Sequence, residues 1–161
     1  MKKVKQVFNM ISNVFFSLVL IAIFLVLMGI VIGFKPYITM SGSMEPNILT
    51  GSVCIVDTNA EYEDIQVKDV ISYYKPGGTL VTHRVIDITE DGMETKGDNN
   101  DVSDGISTTS ENFHGKTLFS IPYIGYVIKW VQQPQNIAIV VVIIAAVILL
   151  GFVDDIFEKK K

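Results

Sequence analysis

The chain has 161 residues, a formal net charge of −4 and a hydrophobic fraction of 49%. The acidic balance, with no basic cluster in the polar middle of the chain, excludes an electrostatic binder of nucleic acid. A single cysteine excludes an intrachain disulfide and a cysteine-built metal cage.

Lys2, Lys3 and Lys5 precede Gln6–Phe34, a run of 29 residues without a charge. At about 1.5 Å per residue such a run crosses a hydrocarbon core of about 30 Å. A cleaved signal peptide has a shorter apolar core and a small-x-small site after it, which Phe34-Lys35-Pro36-Tyr37 does not offer. The pattern therefore predicts a retained transmembrane helix over residues 7–34, with residues 1–6 cytoplasmic.

Soon after the anchor comes Thr39-Met40-Ser41-Gly42-Ser43-Met44-Glu45-Pro46. Gly42 permits a tight path and Pro46 fixes the exit. Two serines around a glycine bring hydroxyls and backbone N–H groups together, which suits a nucleophile beside an oxyanion site. A flexible turn has the same composition.

Ser52–Val56 and Val70–Tyr74 read as β-strands, Lys75-Pro76-Gly77-Gly78 as a turn, and Thr79–Ile88 as a longer strand. Glu90-Asp91-Gly92 turns the chain again into Met93–Lys96. These are hairpins, hence antiparallel sheet. Cys54 in the first run reads as a small buried apolar residue rather than a reactive thiol. In Val81-Thr82-His83-Arg84-Val85, alternation puts His83 on one face with Val81 and Val85 and sends Arg84 to the other. A neutral imidazole there can accept a serine proton; a structural histidine would look the same. His114, between Phe113 and Gly115, lacks that setting and reads as structural.

Gly97–Asn112 is polar and reads as a long loop. It follows the His83 hairpin directly, so one of its acids can reach the second ring nitrogen and fix the tautomer. The same acids invite a calcium reading, but from Asp98 or Asp101 there is no glycine at the sixth position and no glutamate at the twelfth. Phe113–Val131 turns apolar again, and Ile121-Pro122-Tyr123-Ile124-Gly125-Tyr126 suits a membrane interface. A second uncharged run, Trp130–Val153, predicts a transmembrane helix over 131–153 and a cytoplasmic tail over 154–161. Lysines at both ends place both termini in the cytoplasm and residues 35–130 outside it.

Ser41-Gly42-Ser43-Met44-Glu45-Pro46, then His83-Arg84-Val85 forty residues beyond Ser43, then Gly97-Asp98-Asn99-Asn100 with Asp104 six residues past Asp98, resembles the signal peptidase I family. The branch is the endoplasmic-reticulum type, which uses histidine in place of lysine and also occurs in archaea and Gram-positive bacteria. The resemblance covers roughly residues 8–125. It implies a mainly β catalytic domain of small antiparallel sheets, flanked here by N- and C-terminal transmembrane helices. It implies Ser43 as nucleophile, His83 as base, and Asp104 orienting His83 with Asp98 in support, leaving open which acid is closer. Ser41 and the Ser43 N–H would form the oxyanion hole. No metal or other cofactor is implied. The implied partners are secretory preproteins with small residues at −3 and −1, the lipid bilayer and the translocon. Gly51-Ser52 departs from the Gly-Asp of many relatives, at a position that reads as structural. The competing readings are a non-enzymatic, membrane-anchored β module that binds a partner, and an inactive peptidase homologue.

Overall fold

The computed structural model describes residues 2–143 and 145. The first helix, α1, runs Lys2–Val31. Within it Asn13–Val31 has a mean hydropathy of 3.1 and none of it is buried, and among the described residues it is the one helix long and apolar enough to cross a membrane. An apolar surface on every side, with no protein packed against it, suits a lipid surround.

The end of α1 is tied to the sheet. Gly33 takes φ 103°, a left-handed value at which a side chain is strained, and turns the chain out of the helix. The freed carbonyls find partners in the next hairpin. Thr58 donates to the Gly33 carbonyl through its N–H (3.0 Å) and hydroxyl (2.8 Å). Asn59 Nδ2 donates to the Ile32 carbonyl at 2.6 Å. Helix ends leave such carbonyls unpaired, so these caps fix how α1 meets the sheet.

Six strands follow: β1 Phe34–Ile38, β2 Val53–Asp57, β3 Val70–Tyr74, β4 Leu80–Thr89, β5 Gly92–Lys96 and β6 Phe113–Ile121. All pair antiparallel in the order β1-β2-β6-β3-β4-β5. The expected several small sheets are thus one sheet. The reason is the nine-residue β6, whose second half pairs with β2 while its first half pairs with β3, joining two hairpin systems into one.

The sheet buries two apolar clusters. Ile65, Ile71, Tyr73, Val85 and Met93 form one. Met44, Ile48, Cys54 and Val56 form the other. Each fully buried side chain of this kind stabilises the fold by roughly 1.5–3 kcal/mol. Cys54 is a free, buried thiol, and burial pushes its pKa up.

After β6, helix α2 (Ile124–Gln132) is held to the loop before β2 by the Gly125 N–H, which donates to the Gly51 carbonyl at 2.9 Å. Gln133 is extended, as a residue before proline tends to be. A further apolar helix, α3, begins at Pro134 and is described to Ile143. The remainder of the span expected over 131–153 and the tail expected over 154–161 lie outside the described residues.

Candidate active site

The loop between β1 and β2 carries Ser41, Gly42 and Ser43. It is anchored on both sides of the serines. Met44 and Ile48 plunge into the second apolar cluster, and Glu45 Oε1 accepts from the Thr50 N–H (3.1 Å) and hydroxyl (2.7 Å). From above, the Asn99 N–H donates to the Ser43 carbonyl at 2.8 Å. Ser43 is therefore held by groups from two loops.

His83 lies on β4 opposite Ile71 of β3 and is 4% exposed. Alternation turns it to the face of Ile71, Tyr73 and Val85. Its Nε2 lies 3.0 Å from Ser43 Oγ, and its Nδ1 lies 2.6 Å from Asp104 Oδ2. Ser41 Oγ is 3.2 Å from Ser43 Oγ.

Asp104 comes from the long polar loop and is positioned by its own N–H, which donates to the Thr95 carbonyl at 2.9 Å. Its side chain is 4% exposed and accepts four donors. Tyr73 OH (2.8 Å), Thr95 Oγ1 (2.7 Å) and His83 Nδ1 converge on Oδ2, and Lys75 Nζ (3.0 Å) takes Oδ1. Burial alone would raise the carboxyl's pKa. Hydrogen bonds from His83, Thr95, Lys75 and Tyr73 together outweigh it and hold the group down at about 2. Asp104 is thus an anion that only accepts hydrogen bonds. This assigns the imidazole tautomer: Nδ1 carries the proton, and Nε2 is left as acceptor for the Ser43 hydroxyl. Burial likewise pushes the Tyr73 hydroxyl up, keeping it protonated and a donor.

Asp98, expected beside Asp104 in the catalytic set, takes a different place. Arg84 follows His83 in the strand and so points to the other face. There it forks onto Asp98 through Nε–Oδ1 (2.8 Å) and Nη2–Oδ2 (2.7 Å). Asn47 Nδ2 donates to the same carboxylate at 2.8 Å, and Arg84 Nη1 to the Lys68 carbonyl at 2.8 Å. The hydrogen bond from Arg84, helped by Asn47, holds Asp98 below the usual carboxylate range. Asp98 braces the nucleophile loop against β4 and touches neither Ser43 nor the imidazole of His83 through a hydrogen bond. With Asp98 on Arg84 and Asp104 on four donors, both acids are committed to protein partners.

His114 is remote from this set. Its Nε2 lies 2.6 Å from Tyr37 OH, and its ring meets Tyr37 and Tyr74 edge-on. Burial, followed by the charge of Lys35, lowers its pKa.

Three contributors escaped the sequence reading: Tyr73, Lys75 and Thr95. A signal for the first two existed, since Tyr73 and Lys75 are two residues apart at the end of a strand and so share a face. Nothing in the sequence pointed to Thr95, which reaches Asp104 only because Val85 and Thr95 pair across β4 and β5.

A buried acid, an oriented imidazole and a hydroxyl in one hydrogen-bonded line can activate the hydroxyl for attack on a carbonyl. Comparisons with known proteins agree with this chemistry. The family model described as "Signal peptidase, peptidase S26" matches residues 12–112. The chain is 32% identical over 130 residues to Signal peptidase I W of Bacillus subtilis (strain 168), covering 73% of this chain and 68% of that relative.

Proposed function

The chain belongs to the peptidase S26 family of signal peptidases, and on that premise we propose how its residues carry out the reaction. The protein is a serine-type signal peptidase I, a hydrolase that removes signal peptides from secretory preproteins. Ser43 is the nucleophile, His83 the general base, and Asp104 the acid that orients His83. The observation that carries this assignment is the unbroken line Ser43 Oγ, His83 Nε2, His83 Nδ1 and Asp104 Oδ2, with gaps of 3.0 and 2.6 Å at its two contacts.

Ser43 Oγ attacks the carbonyl carbon of the scissile bond while His83 Nε2 takes the hydroxyl proton. The carbonyl oxygen becomes an oxyanion, received by the Ser41 hydroxyl and the Ser43 N–H. The C–N bond then breaks, and His83 gives its proton to the leaving amine. This frees the mature chain and leaves the signal peptide esterified to Ser43. A water molecule, deprotonated by His83, attacks the ester. The bond to Ser43 breaks, and the hydroxyl regains its proton from His83. Asp104 stays anionic throughout and stabilises the imidazolium that forms twice per cycle.

The preferred substrates have small residues at −3 and −1. Residues 7–34 anchor the protein, with residues 1–6 cytoplasmic. Residues 35–130 form the extracytoplasmic peptidase domain, residues 131–153 return through the bilayer, and residues 154–161 form a cytoplasmic tail. Lys2, Lys3 and Lys5 at one end and Lys159, Lys160 and Lys161 at the other support this orientation. The domain rests on the lipid surface through an apolar rim in which Phe119, Ile121, Val127 and Trp130 are 41–57% exposed. Preproteins emerging from the translocon would present their cleavage sites at that level.

The test is to co-express a reporter preprotein with wild type or with Ser43→Ala and to sequence the N-terminus of the mature product. Wild type should yield one defined mature N-terminus, and Ser43→Ala should accumulate the uncut precursor while still reaching the membrane. Processing by Ser43→Ala at the wild-type level would remove Ser43 from the nucleophile's role.

A further inference from the structure

The orienting acid, Asp104, does not face His83 alone. Its second oxygen, Oδ1, is held at 3.0 Å by the ammonium of Lys75, which sits just past the end of β3 at the start of the hairpin turn into β4. The Lys75 side chain is 31% exposed, against 4% for Asp104. One end of this cation is in water and the other is on the buried carboxylate, so its charge is affordable where a fully buried ammonium's would not be.

We propose that Lys75 is a positioning residue of the catalytic reaction: it takes Oδ1 of Asp104, turns Oδ2 onto His83, and sets how readily His83 carries a positive charge. The inference deepens the assignment of Ser43, His83 and Asp104 and rests on it. Two consequences follow from the geometry. A carboxylate with one oxygen pinned by a cation has lost most of its freedom to rotate, so Oδ2 stays in line with Nδ1. The ammonium also offsets part of the Asp104 charge, so the imidazolium is stabilised less than a lone carboxylate would stabilise it. A cation at this place thus favours the uncharged ring, the form that acts as base.

The charged and titratable groups around this pair come from every adjoining element. β3 and the turn after it supply Tyr73 and Lys75, and the polar loop supplies Asp104 and Asp98. Arg84 on β4 is already matched to Asp98, and the nucleophile loop supplies the Ser43 hydroxyl. Tyr73 is held protonated by burial, and the charges of Arg84 and Asp98 balance one another. Lys75 is the one cation of this set bonded to the carboxylate that serves His83.

The experiment measures kcat/KM against pH for the full chain in detergent. Its substrate is a fluorogenic peptide spanning a signal-peptide cleavage site. Wild type is compared with Lys75→Met, Lys75→Gln and Lys75→Arg, and thermal unfolding of each is followed in parallel. The uncharged variants should move the acidic limb of the profile to higher pH by roughly half to one unit, the size expected for loss of a nearby like charge partly screened by water. On the limb their activity, relative to their own plateau, should then fall several-fold. Lys75→Arg should restore the wild-type limb. Should Lys75→Met fold poorly, Lys75→Gln gives the same reading, since it removes the charge and keeps much of the length. A limb that stays in place in both uncharged variants overturns the proposal, even if the plateau drops, because a merely structural role would lower activity at every pH alike. A limb displaced in Lys75→Arg as far as in Lys75→Met overturns it too, since the charge would then not be the cause. Failure of the underlying assignment would register separately, as wild-type activity retained in Ser43→Ala or Asp104→Asn.

Discussion

Asp104 is where the energetics of the site concentrate. Its carboxyl is held at about 2 by donors that outweigh burial, whereas an unfolded aspartate titrates near about 3.9. A folded pKa below the unfolded one means that the anion stabilises the fold. The contribution is complete above the unfolded value and fades as pH falls toward the folded one. Between about pH 6 and pH 3 the wild type should lose about 1 kcal/mol of unfolding free energy through this group. Denaturant unfolding of Asp104→Asn should show a pH dependence smaller by that amount; an unchanged dependence would mean that the four hydrogen bonds add little. At this scale the sequence was informative about the hydroxyl and the imidazole of the candidate site. Ser43 and His83 sit in local patterns, a serine-glycine-serine turn after an anchor and a histidine on the apolar face of a strand. It was silent about Thr95, whose role depends on a partner strand.

The elements were legible in proportion to how local their signals are. The strand expected at Val70–Tyr74 is β3 residue for residue, and β4 is displaced by one residue from the expected Thr79–Ile88. β1 went unrecognised because it is short, contains Pro36 and follows the anchor closely. Its place at the edge of the sheet is what makes the proline tolerable. The polar loop after β5 was anticipated as a loop, but its precision was not. A Cβ on Gly97 would sit 2.6 Å from the Ser43 carbonyl oxygen, the atom that also receives the Asn99 N–H. Gly97→Ala should therefore push the polar loop off the nucleophile loop and lower kcat/KM by roughly tenfold or more, as small displacements of reacting groups do. Circular dichroism should stay native. Full activity in Gly97→Ala would show that the two loops need not touch.

For the molecule as a whole, the proposed anchoring through α1 would hold Ser43 in the same plane as a membrane-held substrate. Holding enzyme and substrate in one plane raises their effective concentration without any new contact. Deleting residues 2–31 should thus depress cleavage of a bilayer-inserted preprotein by roughly a hundredfold, in the range that tethering supplies. Cleavage of a short soluble peptide should change far less. Equal losses on both substrates would indicate that α1 serves the fold of the domain rather than its encounter with substrate.

The sequence by itself determined the long apolar helix, the antiparallel β character of the middle segment, and the serine and histidine of the candidate site. Each of these is written in the spacing of neighbouring residues. The tertiary structure alone decided that the hairpins merge into one sheet, because that depends on how far β6 reaches along β2 and β3. It alone separated the two acids, sending Asp104 to His83 and Asp98 to Arg84. Both acids lie in one polar loop of similar composition, and only the side of the sheet on which each lands distinguishes them.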